Sequence, residues 1–252
     1  MWAITIFGFN MVKRAIVMGA TSGIGKEVAI LLADKGWIVG IAGRRTELLQ
    51  RLQTQHKGIA CWECIDVTQD DASGRLLQLI DRLGGMDLYF HSSGIGWQNN
   101  SLDEYKEMKT MQTNGLGFVR MVTASFNWFA QHEGGHLACI TSIAGTKGLG
   151  AAPAYSATKR FQSHYLECLS QQANMRHLPI HITDIRPGFV ATDLIAGSHY
   201  PLQLKVEIVA RRIVEALEKK KSVVIIDWRY RLLVGLWRLV PRWLWTRLRI
   251  TK

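Results

Sequence analysis

The feature that most constrains this sequence is an alternation, repeated from Lys13 onwards, of short apolar runs of β character with amphipathic stretches of helical length. A strand, a crossover helix and a further strand in this order build a parallel sheet that helices cover. The predicted strands are 13–18, 37–42, 59–65, 86–91, 135–141, 178–185 and 222–226. The predicted helices are 23–35, 45–55, 69–83, 101–131, 153–175 and 205–219. We therefore predict an α/β fold, a doubly wound, seven-stranded parallel sheet of the Rossmann type with helices on both faces.

The alternation runs without a Pro/Gly/Ser-rich linker, and 252 residues suit one large domain with a substantial core. We predict a single domain over 11–226, an N-terminal extension at 1–10 and a tail at 227–252. The extension lacks the basic region and cleavage site of a signal peptide, and Met11 is a candidate start. Uninterrupted apolar runs stay well below the roughly 18 residues of a membrane span.

The four cysteines do not form a disulfide framework by their number and spacing, which predicts a reducing compartment, the cytoplasm. Cys61 and Cys64 have C-x-x-C spacing, but in a strand this spacing points the two side chains to opposite faces. No second ligand pair lies near them in the sequence. We predict buried structural thiols and no metal.

A glycine-rich segment, Gly19 to Gly25, lies between the first predicted strand and helix. Glycines at such a position let a pyrophosphate approach the N–H groups and positive dipole of the helix start. A kinase-type phosphate loop does not fit, because five residues separate Gly19 from Gly25 instead of four and Glu27 replaces the metal-binding Ser or Thr. The predicted cofactor-binding residues of this loop are Gly19, Thr21, Ser22, Gly23, Ile24 and Gly25.

The end of the second strand carries Arg44 and Arg45 where an acidic residue would bind ribose hydroxyls. Arginine can instead clamp a 2′-phosphate with a forked, charge-assisted contact. The sequence therefore predicts NADP(H) in preference to NAD(H).

Four polar residues form a candidate catalytic set, namely Asn114, Ser142, Tyr155 and Lys159. Tyr155 and Lys159 are four apart on a predicted helix, so the ammonium can lower the pKa of the phenol. Ser142, at a strand end, can direct its hydroxyl to the same place. Each residue alone is unremarkable as a cap, turn or surface residue, and the combination carries the prediction.

With these motifs the chain resembles the short-chain dehydrogenase/reductase family from about Lys13 to Ile226. The matching segments are the glycine loop, Asp66-Val67, Asn114 to Gly117, Ser142, Tyr155 to Lys159 and Arg186 to Thr192. The resemblance implies an adenine contact by Asp66, a nicotinamide wall over 187–192 and a homodimer or homotetramer. It implies these further cofactor-binding residues: Val67, Ser93, Gly94, Tyr155, Lys159, Pro187, Gly188, Val190 and Thr192.

The resemblance also implies a mechanism, hydride transfer between a nicotinamide and a carbonyl or secondary alcohol. Tyr155 would donate the proton, Lys159 would bind the nicotinamide ribose, Ser142 would hold the carbonyl oxygen and Asn114 would hold a relay water. NADPH as donor indicates reduction as the working direction.

Two departures from the family pattern stand beside the predicted cofactor. Met18 replaces a threonine, and His91-Ser92-Ser93-Gly94 replaces Asn-Asn-Ala-Gly. We expect binding to survive, and we interpret His91 as a satisfied polar group in preference to an extra proton donor.

Two other classes of protein share some of these features with an enzyme. A non-catalytic NADP(H) sensor or membrane-surface adaptor would not need all four candidate catalytic residues. A nucleic-acid binder would place aromatic platforms on a sheet, which the basic tail does not, so we predict no nucleic-acid partner. A substrate lid is predicted at about 193–205, and its mixed polarity indicates a partly apolar pocket for a small-molecule or lipid-linked carbonyl substrate.

The C-terminal tail concentrates positive charge, since residues 222–252 hold seven basic residues and one acidic residue of a chain with net charge +11. On a helical projection four arginines align on one side, and leucine, valine and tryptophan fill the other. The arginines are Arg231, Arg238, Arg242 and Arg249. This pattern predicts peripheral attachment of residues 228–250 to the inner face of a membrane, with Pro241 dividing two short helices. An interface with another subunit stays open as the alternative.

The tail has a further, limited similarity, through Trp228-Arg229-Tyr230 and Pro241-Arg242, to the end of decaprenylphosphoryl-2-keto-ribose reductases, which act on a polyprenyl-phosphate sugar.

Overall fold

Seven parallel strands form one sheet in the order β3-β2-β1-β4-β5-β6-β7 in the computed structural model, which describes residues 12–195, 200, 202–248 and 250. The strands are β1 Arg14–Met18, β2 Ile38–Gly43, β3 Ile59–Cys64, β4 Leu88–His91, β5 Gly135–Ile140, β6 Ile180–Arg186 and β7 Val223–Ile225. The predicted α/β fold and its seven-stranded parallel sheet are confirmed. The predicted extension at 1–10 lies outside the described residues.

Nine α-helices connect and cover these strands within the described ranges. They are α1 Gly23–Asp34, α2 Thr46–Gln55, α3 Ala72–Leu83, α4 Glu104–Met111, α5 Phe118–Gln131, α6 Pro153–Met175, α7 Val206–Glu218, α8 Trp228–Leu239 and α9 Arg242–Trp245.

Two hydrophobic cores, one on each face of the sheet, account for the strand composition. Residues of α1, α2, α7 and α8 pack on one face, and residues of α3, α5 and α6 pack on the other. Strand β1 shows the consequence, because Ala15, Ile16, Val17 and Met18 are all fully buried. Continuous apolar strands are expected where helices cover both faces of a parallel sheet.

The strand order reverses at β1, which has β2 on one side and β4 on the other. Chain connections leave this point in opposite directions, so a crevice opens at the carboxyl ends of β1 and β4. The glycine-rich loop follows β1, and the segment that begins at Ser92 follows β4.

The predicted helix over 101–131 is wrong as a single α-helix. The chain forms α4, a π-helical turn at Gln112–Gly117 and then α5. Gly117 lies against another segment in this turn, because a Cβ there would be 2.7 Å from Val67 Cγ2. The wider turn places Asn114 inside the protein, where it is fully buried.

The tail forms two helices, as the position of Pro241 predicts. Helix α8 ends at Leu239, Val240 is extended and Pro241 is the N-cap of α9. Tyr230, Val234 and Trp245 are buried. Within the described part of the chain, no helix is both long enough and apolar enough to span a bilayer.

Candidate active site

The glycine-rich loop has the geometry of a phosphate cradle. Gly19 and Gly23 have φ values of +87° and +56°, which favour glycine. A Cβ on Gly25 would lie 2.2 Å from the Gly19 carbonyl oxygen. The N-cap of α1, Ser22, makes no side-chain capping bond, and the first turn of α1 has no acidic residue. The helix start is therefore suited to an anionic ligand, and these residues fit a dinucleotide pyrophosphate.

The two arginines after β2 are exposed beside this loop. Arg45 donates to Thr21 Oγ1 from Nη2 at 2.7 Å and from Nε at 3.1 Å, and to Ser22 Oγ at 2.7 Å. The Arg44 carbonyl accepts a weak bond from the Cys64 thiol at 3.7 Å. The guanidinium of Arg45 is thus directed at the loop, while Arg44 lies next to it at the end of the strand.

The predicted adenine residues lie at the end of β3. Asp66 Oδ1 accepts bonds from the Thr68 amide at 3.0 Å and the Thr68 hydroxyl at 2.8 Å, which fixes a tight turn. The Val67 carbonyl accepts from Arg120 Nη1 at 2.9 Å. The turn lies one strand away from Arg44 and Arg45.

Asn114 joins the segment after β4 to α6. Its Oδ1 accepts from the Ile95 amide at 2.9 Å, and its Nδ2 donates to the Ile95 carbonyl at 2.7 Å and to Thr158 Oγ1 at 3.3 Å. Gly94 lies between the Asn114 amide and the Lys159 ammonium, since a Cβ on Gly94 would be 3.4 Å from Asn114 Oδ1 and 3.5 Å from Lys159 Nζ. The side-chain amide of Asn114 is therefore a structural clamp.

Ser142, Tyr155 and Lys159 meet at the end of β5 and the start of α6. The Ser142 side chain lies close enough to Tyr155 to influence its phenol, and Ser142 Oγ accepts from the Ala144 amide at 3.1 Å. Lys159 Nζ lies 5.8 Å from the centroid of the Tyr155 ring and donates to the Ile140 carbonyl at 3.0 Å. Pro153 opens α6, and Tyr155 and Lys159 lie one turn apart on it. The structure thus brings all four candidate catalytic residues to one region.

The protonation equilibria of this region are dominated by burial. Burial raises the pKa of the Tyr155 phenol, and the hydrogen bond with Ser142 opposes the shift. Burial lowers the pKa of the Lys159 ammonium to about 8. The helix spacing alone led us to expect a lowered pKa for Tyr155, and the direction differs because the low dielectric disfavours the phenolate more than its neighbours stabilise it.

Sequence reasoning missed Gln162, which lies one turn after Lys159 and is fully buried. Its Oε1 accepts from Lys159 Nζ at 2.9 Å, and its Nε2 donates to the Asn114 carbonyl at 2.8 Å. The i, i+3 spacing from Lys159 could have indicated the first contact. The second depends on the fold, because Asn114 is 48 residues away.

The predicted nicotinamide wall after β6 is supported by the tail. The Tyr230 hydroxyl accepts from the Phe189 amide at 3.1 Å and donates to the Leu202 carbonyl at 3.0 Å. A Cβ on Gly188 would lie 2.3 Å from the Tyr230 ring. Val190 pairs with Leu204 in an isolated bridge. The other two residues of the predicted wall lie at its two ends. The Pro187 carbonyl accepts from the Ile143 amide, and Thr192 Cγ2 lies over the glycine loop, 3.2 Å from a Cβ built on Gly23.

The predicted lid is described in part, at 193–195, 200 and 202–205. Tyr200 stacks on Phe189 with centroids 4.1 Å apart, and its hydroxyl accepts from Gln98 Nε2 at 2.8 Å. An aromatic stack and an amide hydrogen bond therefore connect Tyr200 of the predicted lid to the segments after β6 and β4. Tyr200 belongs to the predicted lid, whereas Gln98 is a further residue that the sequence did not single out.

The departures from the family pattern are accommodated in the core. Met18 is fully buried, and its carbonyl accepts from the Ser92 amide at 2.8 Å. Ser93 packs against Gly19, where a Cβ would meet the Ser93 amide at 2.7 Å. Only one ring nitrogen of His91 is hydrogen-bonded. Nδ1 bonds the Tyr89 hydroxyl at 2.9 Å, whereas Nε2 is buried and has no hydrogen-bond partner in the described residues. Burial and the Lys159 charge lower the pKa of His91 to about 3, which keeps the ring neutral at physiological pH.

The cysteine pair lies beside a separate surface cavity. Cys61 and Cys64 are free thiols, but they are half-buried and not buried as predicted, because β3 is an edge strand. A cavity of about 460 Å³ next to them is lined in part by Glu63, Arg75 and Arg82, and it does not adjoin Tyr155. Across the described ranges, no three His, Cys, Asp or Glu side chains are grouped to hold a metal ion.

Comparisons with known proteins identify the family. Residues 13–200 match the short chain dehydrogenase family. An uncharacterized oxidoreductase of Myxococcus xanthus is 33% identical over 201 residues, which cover 77% of this chain and 79% of that protein. Dehydrogenase/reductase SDR family member 7B of Bos taurus is 29% identical over 258 residues, which cover 91% and 79% respectively. The chain belongs to the short-chain dehydrogenase/reductase family, and it is an oxidoreductase.

A solved structure shares the fold. A variant of actinorhodin polyketide ketoreductase, determined with NADPH, superposes with a TM-score of 0.75 at 20% sequence identity. The match covers 85% of this chain and 95% of that one. The similarity of the tail to decaprenylphosphoryl-2-keto-ribose reductases stays a prediction.

Proposed function

We propose that this oxidoreductase reduces a carbonyl group to a secondary alcohol with NADPH, through Ser142, Tyr155, Lys159 and Asn114. The observation that carries the proposal is the meeting of buried Ser142, half-buried Tyr155 and buried Lys159 at one place, next to a loop that can hold a pyrophosphate. A hydroxyl donor, a hydroxyl that orients the oxygen and a nearby cation are the groups that stabilise a developing alkoxide.

The protein's own groups have separate tasks in this proposal. Ser142 hydrogen-bonds the carbonyl oxygen, and Tyr155 donates its proton to that oxygen as negative charge develops there. Lys159 holds positive charge near the phenolate that remains. Bound NADPH supplies the hydride to the carbonyl carbon, so one hydride and one proton convert the carbonyl to an alcohol. The raised pKa of Tyr155 keeps the phenol protonated before transfer.

The preference for NADPH is supported by the charge at the end of β2. Arg44 and Arg45 are both exposed beside the loop, where a 2′-phosphate of the cofactor would lie. The ketoreductase that shares the fold was determined with NADPH. We therefore propose Arg44 and Arg45 as the pair that selects the phosphorylated cofactor.

The substrate class is supported by the groups around Tyr155. Phe189 and Tyr200 stack at the open side, and Trp97 is partly exposed on the segment after β4. Apolar and aromatic walls with few polar groups suit an amphiphilic or lipid-linked carbonyl compound. Gln98 and the Tyr200 hydroxyl supply polar contacts there.

We also propose a homodimer or homotetramer, because exposed apolar side chains gather outside the tail. They are Tyr105, Met108, Met111, Leu116 and Phe161, on α4, the π-helical turn and α6. Self-association would bury them.

Free thiols at all four cysteines suit the cytoplasm as the compartment, which stays a proposal.

Purified protein incubated with NADPH or NADH and a panel of ketones, aldehydes and lipid-linked keto sugars tests this function. The expected result is NADPH consumption with stoichiometric formation of an alcohol by at least one carbonyl substrate. Tight NADPH binding without consumption across the panel, in a well-folded protein, would favour a cofactor sensor instead.

A further inference from the structure

We propose that the outer side of α8, continued by α9, docks on an anionic lipid bilayer. Four apolar residues of α8 are exposed, with 63% of Trp228 and 79% of Leu239 accessible. The other two are Leu232 and Leu236, also more than half exposed. Spacings of four, four and three place the four residues within an arc of about 80°. They form one continuous stripe, called here the outer stripe.

The outer stripe faces away from the protein. Tyr230 and Val234 are buried, and Leu233 and Trp237 pack partly on the hydrophobic core. These four residues lie on the opposite side of α8 from the outer stripe. The sequence pattern predicted a single apolar face, but the structure divides the apolar residues into one set that packs on the domain and one that is open to solvent.

The apolar surface continues beyond Pro241. Trp243 is 62% exposed, and Leu244 and Leu248 are exposed as well. Trp245, in contrast, is buried and stacks edge to face with Trp237 at 5.4 Å between centroids. Trp245 therefore fixes α9 to the domain, while the apolar residues on either side of it in the sequence stay exposed to solvent.

The charges around this surface select an anionic partner. Arg231 and Arg238 lie beside the outer stripe, and Arg242 and Arg247 accompany the exposed part of α9. The acidic residue Asp227 is buried and accepts from Arg212 and Arg229, so its charge is already compensated. A Trp/Leu stripe flanked by arginines is typical of a helix lying at an anionic lipid interface. A second copy of this chain would bring the same positive charge against it.

The docking surface is linked to both borders of the candidate active site. Lys147 Nζ donates to the Val240 carbonyl, and Trp245 Nε1 donates to the Gly148 carbonyl, both at 2.7 Å. Lys147 and Gly148 lie on the segment between Ser142 and α6. On the other border, Tyr230 bonds Phe189 and Leu202. A bilayer that holds the tail would thus hold the site at a fixed distance from its surface, and this deepens the proposed function by favouring a carbonyl substrate that resides in lipid.

Cosedimentation of the full chain with vesicles of phosphatidylglycerol and phosphatidylcholine, or of phosphatidylcholine alone, tests the surface. We expect binding to the anionic vesicles, and a fall of about tenfold or more in Leu232→Gln/Leu236→Gln, because apolar burial drives insertion. The matched control is Leu77→Gln/Ile208→Gln, which changes two exposed apolar residues on α3 and α7. NADPH binding by every variant verifies folding.

A charge variant separates lipid from other partners. Arg231→Gln/Arg238→Gln should lose about tenfold in binding to anionic vesicles, whereas the exposed control Arg51→Gln/Lys57→Gln should lose little. Three results would overturn the proposal: no vesicle binding by the full chain, equal binding by the stripe variant and its control, or a stripe variant that changes oligomer size and leaves vesicle binding intact. Vesicle binding without carbonyl reduction would leave the surface in place and reject the proposed function alone.

The structure also assigns a positioning role to Gln162, on independent observations. Its amide bridges Lys159 Nζ and the Asn114 carbonyl, at 2.9 Å and 2.8 Å, inside the protein. The family resemblance implies that Asn114 holds a relay water. Gln162 fills this place with a side chain that accepts and donates hydrogen bonds but releases no proton at physiological pH. We infer that it holds the Lys159 ammonium in place of the water.

Two substitutions distinguish positioning from packing, given an active wild type. Gln162→Leu keeps most of the volume and removes both bonds, while Gln162→Ala leaves room for a bridging water. We expect kcat to fall at least about tenfold in Gln162→Leu and less in Gln162→Ala, with the pH dependence of kcat displaced in Gln162→Leu. Thermal unfolding measures the stability of both variants, so that each loss of kcat can be compared with the loss of stability.

Ser163→Ala, at the neighbouring position of α6, is the control and should keep the wild-type pH profile. Equal kcat and equal pH profiles in Gln162→Leu and wild type would overturn the positioning role. So would activity that simply follows stability, with Gln162→Ala the less active of the two.

Discussion

At the scale of single residues, the proposed cofactor selection depends on two arginines with different surroundings. The Arg45 guanidinium is hydrogen-bonded to Thr21 and Ser22. Arg44 accepts a bond at its carbonyl, and its guanidinium has no hydrogen bond to the part of the chain that the structure describes. The free guanidinium of Arg44 can therefore reach a 2′-phosphate without breaking a protein contact. Arg45 would exchange or share its bonds with the loop.

Arg44→Ala should weaken NADPH binding by about 2 kcal/mol, roughly thirtyfold, and leave NADH binding almost unchanged. The reason is that the guanidinium contacts only the phosphate that NADH lacks. Titration of both cofactors into wild type and Arg44→Ala measures the difference, with Arg51→Ala on α2 as a surface control. Equal losses for both cofactors would show that Arg44 does not select the phosphate.

Two buried histidines make stability depend on pH. Burial lowers the pKa values of His91 and His136 to about 3, from 6.5 in the unfolded chain. Between these values the unfolded state binds more protons, so stability is full above pH 6.5 and falls as pH decreases. Each histidine contributes up to about 1.4 kcal/mol per pH unit.

Urea unfolding at neutral and mildly acidic pH measures this slope. His136→Gln should reduce the loss of stability on acidification, because one proton uptake is removed from unfolding. His164→Gln, whose side chain is 70% exposed, should keep the wild-type slope. A slope that is the same in all three proteins would contradict the assignment to His136.

At the scale of secondary structure, α8 supports the segment predicted to line the nicotinamide, and it is also a surface helix. The Tyr230 hydroxyl connects the Phe189 amide to the Leu202 carbonyl, and its ring covers Gly188. A helix from the tail therefore fixes the segment after β6 and one end of the lid. This arrangement explains why Gly188 carries no side chain.

Tyr230→Phe should lower stability by about 1–2 kcal/mol, because it removes hydroxyl bonds to the Phe189 amide and the Leu202 carbonyl while keeping the ring. It should also raise KM more than it lowers kcat, since the lid is loosened and the Ser142–Tyr155 pair is untouched. Thermal unfolding and steady-state kinetics check both. Tyr105→Phe, exposed on α4, is the control. Unchanged stability and KM in Tyr230→Phe would contradict the supporting role of the Tyr230 hydroxyl.

At the scale of the whole molecule, the sequence predicted the sheet well and the environment of the tail less well. The alternation of strands and helices and the Gly19 to Gly25 loop determine where the crevice opens, and these are local patterns. The bridge from Gln162 to Asn114 joins residues far apart in sequence, so periodicity cannot reveal it. Amphipathicity showed that the tail has an apolar side, but not that Tyr230 and Val234 would be covered while Leu232 and Leu236 stay exposed.

The packing of the tail on the domain decides which experiment can test the docking surface. Removing residues after Asp227 would delete Tyr230, Val234 and Trp245, which are buried in the domain. Loss of vesicle binding by such a truncation would then report unfolding as much as lost docking. Substitutions confined to the exposed residues avoid this ambiguity because surface changes alter stability little.

The proposed reaction depends most on Tyr155 as the proton donor, and one comparison tests this role directly. Steady-state reduction of an identified carbonyl substrate is measured for wild type and Tyr155→Phe, with NADPH affinity determined for both. We predict that Tyr155→Phe loses nearly all turnover and binds NADPH like wild type, because the phenol acts on the substrate oxygen and not on the cofactor phosphates. A kcat above about one tenth of the wild-type value, a cost below about 1.4 kcal/mol, would contradict the assignment.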